Sequence, residues 1–291
     1  MATPFTPERD DARQEPPMRP FPPSVAEEAS KTLASRSRSP LTFFVWVFAL
    51  SVPFWLIGAV TRRQLFPGLP VSALMAFCPL MAASMLVYRE HKTAGVAELL
   101  KRAFDYPRIS AKVWYAPIVL LKPGVMVLTY GLMRVMGLPL PTPQFSVLAA
   151  LVMFLVFLIA ALGEELGWSG YVIDPLQERW SALHASLLLG LVWATWHLVP
   201  LVQAHRSPAW IAWWGLGTVA SRVLIVWLYN NTGKSVLAAI LYHAISNVSW
   251  LLFPTDGSHY DPRITGLILA CAAAIVTVVW GPRTFARHRH A

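Results

Sequence analysis

Cysteine is nearly missing from this chain. The two residues present in 291, Cys78 and Cys271, each lie inside an apolar run. That excludes a disulfide framework and a thiolate metal cage, and leaves both as expected small core residues. Charge is scarce as well. Only 13% of the residues are Asp, Glu, Lys or Arg and 56% are hydrophobic, whereas soluble domains are roughly a quarter charged. Also absent are the alternating segments of about ten residues that mark a membrane barrel. The basic excess, a net +9, sits in loops and tails between the apolar runs. There it orients a membrane protein, and it does not point to nucleic acid.

What the sequence has in quantity is apolar length. A hydrocarbon core of about 30 Å needs roughly 20 apolar residues of helix, and backbone inside lipid must satisfy its own hydrogen bonds. Eight runs qualify, near 41–60, 70–88, 112–136, 146–172, 183–204, 209–230, 235–253 and 264–281. They predict an all-α integral membrane protein, a bundle of about eight transmembrane helices within 41–282, multi-pass in the plasma membrane. The fourth run is long because its polar end, GEELGWSGY, meets no helix breaker before Pro175. Residues 1–40 are rich in Pro, Ser, Glu and Arg and have no apolar period, which predicts a disordered cytosolic arm, too long and polar for a secretory leader. Residues 283–291 read as a basic cytosolic tail. Of the 24 lysines and arginines, 17 fall on the side of the N-terminus, 4 on the other, and Lys122, Arg134 and Arg222 lie within spans. That asymmetry predicts cytosolic N- and C-termini.

Polar groups at membrane depth cost about 2.5–3.5 kcal/mol each even on insertion scales, so they mark function by default. The fourth run carries Glu164 and Glu165, the fifth His197, the sixth Arg222, the seventh His243 and Asn247, and the third Lys122. At 1.5 Å per residue, Glu165, Arg222 and His243 share a level roughly 10–12 Å from the cytosolic ends, with His197 several ångströms deeper. A common wet cavity is the economical explanation. His243 and Asn247 are i and i+4 on one helix face, as are Trp193 and His197. The adjacent glutamates point about 100° apart, so one aims at the cavity and the other needs a partner. Taken singly, each has a blander reading: histidine as a helix-to-helix bridge, asparagine as packing glue. Tryptophans such as Trp213 and Trp214 read as interfacial anchors.

Three groups in order, Glu164-Glu165 through Ser169, Trp193 through His197, and His243 through Asn247, resemble the motifs of the CPBP family, the CAAX prenyl protease 2 and bacteriocin-processing intramembrane proteases. The resemblance covers a catalytic core at about 146–250. It implies eight helices and hydrolysis of a peptide bond in a membrane cavity. Glu164, Glu165, His197, His243 and Asn247 would form the catalytic set. In it Glu164 and His197 activate a water, and His243 and Asn247 stabilise the oxyanion. The implied substrate is a peptide or membrane protein, prenylated in the CAAX branch, met in the lipid bilayer. Two positions depart from the family pattern: Ser169 stands where the motif has Arg, and Trp193 where it has Phe. Arg222, at matching depth, is the expected replacement charge partner. The alternative is that Ser169 marks a non-catalytic scaffold or immunity-type protein on the same fold. A transporter fits less well, because no half-to-half repeat is visible. Zinc on Glu164, His197 and His243 is the metal option. HExxH is absent, and metal-free chemistry is the expectation.

Overall fold

The computed structural model describes residues 39–66, 69–144, 146–254, 257 and 259–286. The expected arm at 1–40 lies almost wholly outside these residues, and the expected tail at 283–291 largely so.

Helix α1 is Pro40–Thr61, and a short antiparallel ribbon, β1 Gln64–Phe66 with β2 Leu69–Pro70, follows it. A 3₁₀ turn, Val71–Phe77, leads into α2, Cys78–Lys101. Then come α3 Tyr115–Val135, α4 Val147–Gly167, a π-helical turn at Trp168–Val172 and α5 Ile173–Arg179. The chain continues through α6 Ala182–Trp196, α7 Leu198–Gln203, α8 Pro208–Asn231, α9 Val236–Leu251 and α10 Pro262–Trp280. The result is a helical membrane bundle whose starts fall close to the apolar runs. Serines cap many of them: Ser39, Ser146, Ser181, Ser207 and Ser235 each accept a backbone N–H from the first turn.

Among the described residues, seven helical segments are long and apolar enough to cross a membrane, while α9, at 16 residues, is shorter than the expected 235–253 span. At 1.5 Å per residue it is about 24 Å long. The second span also ends sooner than its helix: Lys92, at φ 54° and ψ −152°, breaks α2 where polar residues begin. The ribbon β1–β2 is a small addition to the all-α expectation. Cys78 is buried as expected, but Cys271 is exposed. It lies on the side of α10 turned away from the bundle, so it is not a core residue.

Helix α8 is the hub, packed against α6 and α10, while α4 packs against both α2 and α9. The packing of α4 on α2 and on the 3₁₀ turn before it depends on two glycines. A Cβ at Gly163 would lie 2.8 Å from the Ala76 carbonyl oxygen, and one at Gly167 would lie 2.6 Å from Pro79 backbone. Small residues at i and i+4 thus let two membrane helices touch by their backbones. The acidic doublet sits between them.

On the polar rim, the Asp105 carboxylate receives Ser235 Oγ at 2.6 Å and the backbone N–H groups of Val236 and Leu237 at 3.0 and 3.1 Å. A negative group at a helix N-terminus meets unpaired donors and the favourable end of the helix dipole. Arg102 donates to the Gly170 carbonyl at 2.7 Å and to the Tyr229 hydroxyl at 2.9 Å. The π turn is thereby tied to the end of α8.

Candidate active site

The doublet lies at the C-terminal end of α4, and its two carboxylates enter different surroundings. Glu164 lines an internal cavity of about 420 Å³. Its Oε2 accepts Trp193 Nε1 at 2.7 Å and Trp168 Nε1 at 3.3 Å. Glu165 is fully buried and is not part of the cavity wall. Arg222 Nη1 donates to its Oε2 at 2.9 Å and Nη2 to its Oε1 at 3.0 Å. This is the fork-to-fork geometry that makes arginine–carboxylate pairs both strong and directional. Ser169 Oγ donates to Oε2 as well. The residue standing in for the motif Arg therefore keeps a contact to Glu165, while the cation arrives from α8.

Both imidazoles have one nitrogen assigned by its partner. His197 joins α6 to α7, and its Nδ1 lies 2.8 Å from the Trp193 carbonyl oxygen. A carbonyl only accepts, so Nδ1 carries the hydrogen and Nε2 is left for other work. His243 Nδ1 lies 3.0 Å from Glu165 Oε1. A carboxylate held by arginine also only accepts, so here too Nδ1 is the donor. Asn247 follows one turn later on α9, on the cavity wall beside His243.

One cation links these groups. The guanidinium of Arg222 lies 4.2 Å from the centre of the Trp193 ring, within the range of a cation–π contact. Trp193 in turn holds Glu164, and Arg222 also holds Glu165, which holds His243. Aromatic walls complete the site: the rings of Trp196 and Trp214 lie 4.8 and 5.3 Å from that of His197. Trp214 is therefore a cavity residue. Sequence reasoning also missed Trp168, although its i+4 spacing from Glu164 put it on the same helix face.

Glu164, His197, His243 and Asn247 thus share one cavity, and Glu165 and Arg222 stand behind it. Among the described residues no three His, Cys, Asp or Glu side chains come together as a metal-holding group, the trio Glu164, His197 and His243 included.

A multi-pass helical membrane protein with carboxylate, imidazole and carboxamide on one internal cavity is the class these elements define. Comparison with known proteins narrows it. The family model for type II CAAX prenyl endopeptidase Rce1-like proteins matches residues 146–249. The chain is 29% identical to CAAX prenyl protease 2 of Methanococcus maripaludis over 267 residues, covering 84% of this chain and 95% of that protein. Both comparisons support a likeness to the CPBP family, whose CAAX prenyl protease branch supplies the matching model and the relative.

Proposed function

We propose that this protein is an intramembrane endopeptidase that hydrolyses a peptide bond with a water activated by Glu164 and His197. The observation that carries the proposal is the pairing of a cavity-lining carboxylate, anchored through one oxygen by two indoles, with an imidazole whose Nε2 is left free as a base. In the proposed step the water passes a proton to this pair as its oxygen bonds to the scissile carbonyl carbon. The carbonyl oxygen becomes an oxyanion, stabilised by His243 Nε2–H and the Asn247 amide. Collapse breaks the C–N bond, and the proton moves to the leaving amine.

His243 can donate through Nε2 only as an imidazolium, because Nδ1–H is already directed at Glu165. Glu165 is in this reading a positioning residue that fixes the imidazole through Nδ1, and Arg222 holds Glu165 in place through two hydrogen bonds. The same pairing favours catalysis over an inert scaffold, because Glu165 has the cation that Ser169 does not provide. The substrate we infer is a peptide whose cysteine, fourth from the end, carries a prenyl group. We also read α9 as the eighth crossing and both termini as cytosolic, in line with the distribution of 17 basic residues against 4.

The test is cleavage of a farnesylated, quenched peptide by the purified protein in lipid nanodiscs. Wild type should cut it, and Glu164→Ala and His197→Ala, shown to be folded, should not. Equal cleavage by wild type and both variants would refute the assignment.

A further inference from the structure

Seven residues into α3, Lys122 projects onto the same cavity wall as Glu164, His243 and Asn247. It is only 7% exposed. Among the described residues it makes no hydrogen bond and no ion pair. The acids nearby are engaged elsewhere: Glu165 is taken by Arg222, and Glu164 is anchored to Trp193 and Trp168. A lysine near a membrane surface usually snorkels to water, whereas this one is buried on the wall of the cavity that Glu164 lines. An unpaired ammonium at membrane depth is expensive to keep. In a cavity with mainly apolar walls its attraction for an anion is strong.

We propose that Lys122 is the substrate-carboxylate site of the cavity. It binds either the α-carboxylate at the end of a peptide or an acidic side chain near the scissile bond, and so sets where along the chain the cut falls. This rests on the protease reading above and adds a specificity residue to it. The Lys122 Nζ donates to the carboxylate, and no covalent step is involved.

The experiment uses three quenched farnesyl peptides, identical except at the end: a free carboxylate, a carboxamide, and a carboxamide with Asp as its last residue. For wild type, Lys122→Met and Lys122→Arg in nanodiscs, kcat/KM is measured on each. Because the readout is a ratio within one variant, partial loss of folded protein does not affect it. Wild type should prefer an anionic peptide over the neutral one by about 10- to 100-fold, the range for a hydrogen bond to a charged group. Lys122→Met should bring that ratio near one, and Lys122→Arg should keep most of it. Preference for the free carboxylate identifies the chain terminus as the source, and preference for the Asp peptide identifies the side chain. An unchanged ratio in Lys122→Met overturns the proposal while leaving the protease reading intact. If wild type cuts nothing, affinity of the three peptides for the Glu164→Ala protein with and without Lys122→Met decides. A Lys122-dependent anion preference upholds the site although the protease reading falls, and equal affinities overturn it.

Discussion

Arg222 and Glu165 meet through two nearly parallel hydrogen bonds of 2.9 and 3.0 Å, and neither side chain has measurable solvent exposure. Removing one partner of such a pair strands the other charge, typically costing about 3–5 kcal/mol. Arg222→Gln should therefore lower thermal stability in nanodiscs and abolish cleavage. Ser169→Arg in that background should restore part of both, since position 169 already touches Glu165 Oε2. Wild-type behaviour of Arg222→Gln would show that the pair has no role in supporting the site.

Replacing Glu164 separates chemistry from fold. In Glu164→Gln the amide oxygen can still accept the Trp193 and Trp168 N–H groups, so the unfolding temperature should change little. The rate should fall by about 10²–10⁴, the usual contribution of a positioned base. Trp193→Phe, which restores the family's aromatic, removes the 2.7 Å donor. It should lower kcat/KM by about 10- to 100-fold, the range for a hydrogen bond to a charged group.

Asn247→Ala should lower kcat by about 10²–10³ with little change in KM, as expected for a donor used mainly in the transition state. An effect confined to KM would instead make Asn247 a binding residue.

Outside the membrane-spanning segments, Asp261 caps α10 by accepting the Arg263 backbone N–H at 2.9 Å. Side-chain hydrogen bonds from Arg263 hold its carboxyl below the ordinary value of 3.8. A depressed acid stabilises the fold above its unfolded pKa and loses that contribution as pH falls through the folded one. Asp261→Ala should cost about 1 kcal/mol at neutral pH, a usual helix-cap value. The gap to wild type should close as the medium is acidified below 3.8, as measured by thermal unfolding across pH.

Much of the bundle was legible because apolar length is a local signal, and the i, i+4 relation of His243 and Asn247 is equally local. The divergence of Glu164 and Glu165 also followed from helix geometry alone. Contacts between helices were less accessible. Nothing near Trp193 or Trp168 in sequence shows that their indole N–H groups converge on one carboxylate oxygen, and Trp214 looks like any membrane tryptophan until α8 is packed. The break at Lys92 and the junction at His197 depend on packing that no period encodes. Lys122 stood out as a charge in an apolar run, but its lack of a protein partner appears only in three dimensions.

The glycine contacts of α4 with α2 and with the turn that leads into it have a consequence for which sequences can carry this site. Gly163 and Gly167 bracket the acidic doublet at points where the neighbouring backbone leaves no room for a methyl group. A relative with alanine at either place would retain every reactive side chain, yet its carboxylates would be displaced from the partners that aim them. Two residues with no functional group are therefore as diagnostic of a working copy as the acids they flank, and a homologue lacking them is a candidate for lost activity even when its motifs look intact.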